Sequence, residues 1–592
     1  MCGILGSTNL NHSKIHSALK KLCHRGPDFQ NTWQNSNVNL AHARLSIIDP
    51  DPEANQPFFS ASGRYVLVYN GELYNYKELA NKHALPLETT SDTEVVVELF
   101  ERLGWGFVNE LNGMFSMSIY DMLEDTTYLF RDRLGIKPLY YNLSVDGEFS
   151  FASELPALLE LIPRPEISQE STAQFLHRGY IPEPNTIYEG VKKFPAGHWA
   201  VFRDGKLKLE SYWKAEDQIV SSLHSNESKV LEDLEELLRD SVSLRLMSDV
   251  PYGAFLSGGA DSGLISAIAA DLSKEKLKTF NVSFEDAVFD ESSYASQMAT
   301  IIGSEHHQIR VTKESVLAKM DHGIKLAGEP FADSSIFPTM AVSEFASKHV
   351  KMVLSGDGGD ELFMGYGAYT WADRLADPIK WNSRKFIASL LRASGKGRNK
   401  RAANVFDAPS KNGIQAHIFS QEQNLFGAKE IQKITGKAFA DPFKMPASKR
   451  RLTSAEEQAF FDLTNYLKDD LLVKVDRASM NYSLEARVPF LDYRLVEYAL
   501  NIDPALKRKN NESKYLVKKL MKQYYPSDLI YRKKWGFSIP LEKWLKEADF
   551  WKDENQCYLE TFKDLQAIYS NNPEDSFLYN RLYALKCLSV YL

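Results

Sequence analysis

The stretch Tyr252-Gly-Ala-Phe-Leu-Ser-Gly-Gly-Ala-Asp-Ser-Gly263 leaves few choices to the chain around it. Residues 253–256 read as the end of a short apolar strand, and residues 264–272 read as a buried helix. Between them lie Ser257, Gly258, Gly259, Ala260, Asp261 and Ser262, all small, at the point where the chain turns. Such a turn leaves backbone N–H groups unpaired at the positive end of a helix, where a phosphate is favoured. Glycines let the backbone approach a ligand closely, and serine hydroxyls add donors. No Gly-Lys-Ser/Thr follows; Asp261 takes that place, a hard oxygen ligand suited to Mg²⁺ beside a polyphosphate. By itself Ser-Gly-Gly is equally compatible with an ordinary turn, so the rest of the chain must decide.

At 592 residues the chain can hold more than one domain with a sizeable core. Hydrophobic content of 44% and charged content of 25% are those of a globular protein. A net charge of −8 gives no general reason to expect nucleic acid or an anionic membrane as partner. No apolar run reaches the length of a membrane span, and Met1-Cys2-Gly3 does not begin a signal peptide. The four cysteines, Cys2, Cys23, Cys557 and Cys587, form no CxxC pair, so a reduced, cytoplasmic protein is expected. Residues 381–401 are basic but lack aromatic interleaving, and read as a solvated insertion rather than a nucleic-acid surface.

Cys2 is the second sharp feature. Removal of Met1 would leave a thiol and a free α-amine on one residue. An α-amine with a pKa of about 8 can take the thiol's proton and return one to a leaving group, so nucleophile and base come together. A cysteine near a terminus can also be incidental. Its context, Met1-Cys-Gly-Ile-Leu-Gly6, resembles the start of class II glutamine amidotransferases, whose N-terminal cysteine attacks the glutamine side-chain amide. His24-Arg-Gly-Pro-Asp28 is similar to the family's early turn, and Ala41-His-Ala-Arg-Leu-Ser-Ile-Ile48 to the strand with its glutamine-binding arginine, here Arg44. A guanidinium can hold the substrate α-carboxylate through two charge-assisted bonds; a surface ion pair is the plainer role for Arg44.

Tyr65-Val-Leu-Val-Tyr69 is rich in strand formers and reads as a buried strand. Asn70-Gly71-Glu72 follows, which out of context signals a hairpin turn. The resemblance instead makes Asn70 and Gly71 the oxyanion hole, donors fixed in advance for the tetrahedral intermediate. It puts Glu72 and Asp92 on the glutamine α-amino group. Ser91-Asp-Thr-Glu94 also opens a helix through Val95, Leu99 and Leu103, where Asp92 suits the dipole in any case. Asn112-Gly-Met-Phe115 and Arg131-Asp-Arg-Leu-Gly-Ile-Lys-Pro-Leu139 match as framework and domain contact, and Asp204-Gly205 marks the tip of a final hairpin. A first domain over residues 1–210 is expected, two stacked antiparallel sheets between helices in the manner of N-terminal-nucleophile hydrolases. Residues 221–228 read as a linker.

In the second part, Ser257-Gly-Gly-Ala-Asp-Ser262 resembles the pyrophosphate loop of ATP pyrophosphatases, with Ala260 smaller than the usual residue. Val230, Leu234, Leu237, Leu238 and Val242 have the spacing of one helical face ahead of it. Residues 277–284 read as a strand, 292–302 as a helix and 351–354 as another strand, a succession that predicts a doubly wound α/β sheet with ligand at the strands' carboxyl ends. The resemblance puts Phe255, Val282 and Ser283 around adenine and makes Ser257, Gly258, Gly259, Asp261 and Ser262 the phosphate loop. Ser355-Gly-Asp-Gly-Gly-Asp-Glu361 is similar to the second nucleotide loop, with Ser355 and Gly356 on AMP and Asp360 joining Asp261 on Mg²⁺.

Asp469-Asp-Leu-Leu-Val-Lys-Val-Asp-Arg477 and Ser483-Leu-Glu-Ala-Arg-Val-Pro-Phe-Leu-Asp492 match the asparagine synthetase family. The first reads as a helix beneath the active site. Arg487 and Asp492 read as a structural ion pair. Lys514 matches the lysine that steadies departing pyrophosphate, and Lys533-Lys-Trp-Gly-Phe-Ser-Ile-Pro540 matches a late family loop. Asp357 stands where the aspartate-using enzymes carry glutamate, and Phe337 near where they carry arginine.

The sequence therefore implies an α+β sandwich followed by a doubly wound domain with a helical C-terminal part, over residues 228–592. The expected activity is glutamine-dependent amidation of a carboxylate with ATP and Mg²⁺, aspartate to asparagine first. A sugar uronate or a peptide is the alternative acceptor, and a non-catalytic scaffold the alternative class. Small molecules are the expected partners, and the sequence allows a homodimer.

Overall fold

The computed structural model of the chain describes residues 2–284, 290–394, 397–510, 512–532, 539, 544 and 576–592. The first third forms two six-stranded antiparallel sheets. One runs, edge to edge, Val191–Lys193, Tyr140–Leu143, Phe149–Ala152, Gly3–Ser7, Asn39–Arg44 and Phe29–Gln34. The other runs Lys206–Ser211, His198–Arg203, Thr126–Arg131, Gly113–Asp121, Tyr65–Leu73 and Phe58–Phe59.

The strand Tyr65–Leu73 explains the layering. Side chains alternate along a strand. Val66 and Val68 enter a core shared with Ile4, Leu40 and Phe151 of the other sheet. Leu67, Tyr69 and Leu73 face the opposite way, against Val95, Val96 and Leu99 of the helix Asp92–Leu103. Both faces being buried, the strand needs an unbroken apolar run. The second sheet is covered in the same way by the helices His12–Lys20 and Leu155–Leu161. Four layers result, helix, sheet, sheet, helix. Asn70-Gly71-Glu72 does not turn; the strand continues, with Asn70 opposite Ser116 and Gly71 opposite Phe115. A Cβ on Gly71 would lie 2.3 Å from the Met114 carbonyl oxygen, so close strand approach is what requires glycine there. Asp204-Gly205 does form the hairpin tip, both residues at positive φ between paired Arg203 and Lys206.

The second part is built on a five-stranded parallel sheet in the order Glu305–Val311, Lys278–Phe284, Tyr252–Phe255, Met352–Leu354, Glu485–Arg487. The strand that comes first in the chain is central. The chain adds strands on one side of it and then crosses to the other, which makes Tyr252–Phe255 and Met352–Leu354 the switch point. Both glycine-rich loops leave the carboxyl ends of those two neighbours. The helix Ala260–Leu272 is buried along residues 262–269, as its uninterrupted apolar composition demands.

Residues 381–401 are mostly solvent-facing, with Ala388 the buried residue among those described, and they join a small core completed beyond that range. The helices Pro378–Ala393 and Gly397–Phe406 pack together around Ala388, Ala403, Val405 and Phe406. Arg384 lies 4.0 Å over the Trp381 ring and donates to the Ala408 carbonyl, and Arg392 pairs with Asp407. Sparse apolar positions among many charges concealed a real, if small, buried face. The motif at residues 533–540 lies outside the described residues apart from Ile539, and so does Cys557.

The two parts share core. Leu45, Ile47, Met114, Leu134 and Ile136 belong to the same cluster as Leu234, Leu491 and Leu495. Leu134 and Ile136 are set by Asp132, whose carboxylate accepts from the N–H groups of Phe115, Leu134, Ile136 and Lys137. Fully buried Arg25 donates to both oxygens of Asp476 at 2.8 and 3.0 Å and to Glu154 at 2.7 Å, and Arg477 also reaches Glu154. Arg487 and Asp492 are not partners of one another. Arg487 pairs with Glu485 at 2.6 Å and Glu72 at 3.3 Å, whereas Asp492 pairs with Arg245 and Arg494. Strand residues point Arg487 towards the first sheet pair, while Asp492 caps the next helix by accepting from Arg494 N–H.

Candidate active sites

Two sites form, one in each half of the chain. The smaller is a narrow cavity of about 20 Å³ lined by Cys2, Arg44, Gly71, Glu72 and Asp92, with Tyr69 and Gln56. Cys2 immediately precedes Gly3–Ser7, one of the two middle strands of its sheet, and its N–H donates to Asn70 Oδ1 at 3.0 Å. The Cys2 carbonyl accepts from Arg25 Nε at 3.0 Å, which ties the residue to the domain boundary. Burial pushes the Cys2 thiol up, so attack by its sulfur would require a base to take the proton.

The Arg44 guanidinium is held by the Asp51 carbonyl at 2.9 Å, Asn55 Oδ1 at 2.8 Å and the Asp49 carbonyl. It is a fixed positive group in the cavity wall, not a surface pair. Ser91 caps the helix Asp92–Leu103 by accepting from Thr93 N–H. That frees Asp92 to accept from Leu73 N–H at 2.9 Å and Tyr69 Oη at 3.0 Å. Burial raises Asp92 to about 6. Glu72 is pushed well up by burial although Arg487 opposes the shift. The cavity thus joins one cation and two carboxylates, the set a zwitterionic amino-acid head group requires, next to a thiol and the Asn70 amide. The contribution of Arg487 escaped the sequence reading, since nothing in its own segment points towards residue 72.

The larger site is a cleft of about 330 Å³ at the switch point of the parallel sheet. Phe255, Ser257, Gly259, Asp261, Ser262, Val282, Ser355, Gly356, Asp357 and Asp360 line it together. Two expected residues stand off its wall. Gly258, at φ 79°, presents its carbonyl to Arg532, and Ser283 turns its hydroxyl to the Ile309 carbonyl on the neighbouring strand. The Ser257 and Ser262 hydroxyls lie 2.9 Å apart and fix the loop shape. Lys514 is the N-cap residue of the helix Tyr515–Met521 at φ 55°, and its Nζ bridges Asp261 and Asp360.

Asp261 and Asp360 therefore converge from separate loops on one positive centre. A Cβ on Gly359 would come within 2.5 Å of Asp261, so the approach of the loops depends on that glycine. Two carboxylates with room for phosphate oxygens fit Mg²⁺. Among the described residues no cluster of three or more metal-ligating side chains occurs.

Residues unmarked by the sequence reading complete the cleft: Asn281, Glu291, Ser335, Thr339, Glu361, Tyr366, Tyr466 and Lys474. Burial and Asp360 push Glu361 up to about 8, with Tyr366 Oη donating to it at 2.6 Å. The helix Leu472–Met480 does lie beneath the site, with Lys474 and Val475 on the cleft side and Asp476 and Arg477 at the domain boundary. Phe337 is 3% exposed and packs on Gly323, away from the cleft.

A buried thiol beside an amino-acid-shaped pocket, joined to a nucleotide-type cleft, defines a glutamine-dependent amidotransferase. The comparisons with known proteins agree. Residues 1–213 match the glutamine amidotransferase domain family, and residues 233–561 match asparagine synthase. The chain belongs to the glutamine-hydrolysing asparagine synthetase family, whose members use ATP. It is 31% identical over 578 residues to asparagine synthetase 1 of Bacillus subtilis, covering 93% of this chain and 89% of that one. It is 34% identical over 519 residues to a putative asparagine synthetase 2 of Methanocaldococcus jannaschii, covering 81% and 98%. It is also 27% identical over 581 residues to amidase chry2 of Gibberella zeae, covering 90% and 85%. Among the described residues no helix is long and apolar enough to cross a membrane.

Proposed function

We propose that the chain converts L-aspartate to L-asparagine at the expense of glutamine and ATP. Two units carry this out, a glutaminase domain of residues 1–210 and a synthetase domain of residues 228–592. In the first, the amine freed by removal of Met1 takes the Cys2 thiol proton. The thiolate attacks the glutamine carboxamide carbon, with Arg44 on the α-carboxylate and Glu72 and Asp92 on the α-ammonium. Asn70 Nδ2 and Gly71 N–H carry the oxyanion. Collapse expels ammonia, and water then cleaves the thioester to glutamate. In the second, the acceptor carboxylate displaces pyrophosphate from the ATP α-phosphorus. Ammonia then attacks the acyl carbon and AMP leaves, with Asp357 taking the proton lost from nitrogen. Phe255 and Val282 flank adenine, and Lys514 steadies the pyrophosphate. Mg²⁺ held by Asp261 and Asp360 would supply charge neutralisation on the phosphates. Passing ammonia inside the protein keeps it from protonation and loss.

The observation that carries this reading is the meeting of Asp261 and Asp360 on Lys514 at the switch point, in the same chain as the Cys2 pocket. Pyrophosphate release with glutamine, ATP and Mg²⁺, with and without aspartate, tests it. Release that depends on aspartate, with asparagine found by mass spectrometry, is expected. Intact glutaminase activity with no dependence on aspartate would assign another acid. The burial of Phe337, where aspartate-using relatives are expected to carry arginine, keeps a uronate or peptide carboxylate as the second reading.

A further inference from the structure

The cleft is lopsided in charge. Asp261, Glu291, Asp357, Asp360 and Glu361 stand on its wall, and among the described residues Lys474 is the single cation that lines it. The other cation at its margin, Lys514, is already seated between Asp261 and Asp360. Among the described residues of the wall, Lys474 is therefore the cation placed to meet an acceptor that keeps a second negative charge after its reacting carboxylate is adenylated.

That lysine is held in place. It is 8% exposed, and its Nζ lies 2.9 Å from Ser335 Oγ and 3.2 Å from Asp333 Oδ2. Asp333 in turn accepts from the Ser335 N–H at 2.8 Å and hydroxyl at 2.6 Å. Ser335 and Thr339 reach the same cleft wall from one turn of the helix that begins at Ile336. The negative charge of Asp357, in the loop beside the reacting carbonyl, also acts on Lys474 and favours its charged form. A buried ammonium held by a carboxylate and a hydroxyl behind it, with a third N–H left over, is a preorganised subsite for an anion.

We propose that Lys474 binds a second anionic group of the acceptor, with Asp333 and Ser335 as the positioning residues. The acceptor is then a dianionic acid of aspartate's class, and a uronate, whose one carboxylate is the reacting group, is disfavoured. The inference rests on the amidotransferase reading above. It locates recognition of the second charge on the helix Leu472–Met480 rather than at the position of Phe337.

The test uses the full-length enzyme and pyrophosphate release with L-aspartate, succinate, β-alanine and D-glucuronate. Succinate keeps both carboxylates of aspartate, and β-alanine keeps only the reacting one. Lys474→Met should raise KM for aspartate at least about tenfold, the loss expected of one charge-assisted contact. KM for ATP and the glutaminase activity should not move, and Lys474→Arg should restore part of the loss. Activity with β-alanine, weak in the parent enzyme, should be unchanged by the substitution. The double variant Asp333→Asn/Lys474→Met, which also removes the carboxylate paired with Lys474, should behave like Lys474→Met and guards against misfolding as the cause. An equal rise in KM for ATP, or an equal loss with β-alanine, would place Lys474 on the phosphates and overturn the proposal. If aspartate is not a substrate but succinate is, and is lost selectively in Lys474→Met, the aspartate reading fails and the subsite stands. If only glucuronate reacts, and Lys474→Met leaves it unaffected, the subsite fails.

Discussion

The glutaminase pocket and the nucleotide cleft solve the problem of holding a charged ligand in opposite ways. In the pocket, side chains from two buried strands and one helix start are pinned by backbone groups: Arg44 by the Asp49 and Asp51 carbonyls, Asp92 by the Leu73 N–H. Little needs to move, and the space is about 20 Å³. In the cleft, two loops rich in glycine leave adjacent parallel strands, and the space is about 330 Å³. A small, invariant head group is recognised by fixed side chains; a large polyphosphate is recognised by backbone that can approach it closely. The difference implies that the pocket is sensitive to single side chains, and the cleft to charge and loop shape.

The largest expected effect separates the two outright. Cys2→Ala should lower glutamine-dependent synthesis by at least about 10³-fold, since a nucleophile has no substitute, while ammonia-dependent synthesis is retained. Equal loss with both nitrogen sources would collapse the two-site scheme. Asp261→Ala should lower pyrophosphate release by about 10²-fold or more, the scale of a lost electrostatic contact to the transition state, and leave glutaminase turnover measurable. Surviving pyrophosphate release would remove Asp261 from the phosphates. Arg25→Met breaks the join between the regions instead of either site. It leaves buried Glu154 and Asp476 to share Arg477 and should cost up to about 3–5 kcal/mol in denaturant unfolding. A midpoint shift near zero would mean that the two halves are held by apolar packing alone.

The mildest effect concerns pH. Asp92 titrates at about 6 because burial favours its neutral form. It must be ionised to hold an ammonium, so binding is complete above that value and weakens below it. KM for glutamine should rise about tenfold between about pH 7 and about pH 5. Asp92→Asn should give a high KM whose remaining pH dependence is that of Glu72, which burial also pushes up. Pyrophosphate release with ammonia as the nitrogen source should be indifferent to Asp92, and a shared pH limb would argue against separate sites.

Much of this was legible in the residues. The strand-turn-helix around Ser257-Gly-Gly fixed where the parallel sheet would bind its ligand, and the family motifs located Cys2, Arg44, Gly71 and Asp92, which share one cavity. What stayed hidden follows a pattern. Lys474, Ser335 and Tyr466 line the cleft from helices whose own spacing speaks only of packing. Arg487 was paired in prospect with Asp492 because they are near in sequence, yet a strand sends its side chain to Glu72. Ser283 was expected at the adenine, but strand alternation turns it to the neighbouring strand while Val282 faces the cleft. Local pattern reports which face of an element is buried; it is silent on which distant element that face meets.

The three-residue strand Glu485–Arg487 has a consequence for how such a chain can be recombined. Its Arg487 side chain completes the pocket at Glu72, and its Arg487 carbonyl accepts from Ser355 N–H at the base of the second nucleotide loop. A chimera cut in the segment between the halves looks like a clean exchange of modules along the sequence. In space it would change the cation paired with a carboxylate of the first pocket, because that cation is inherited with the second half.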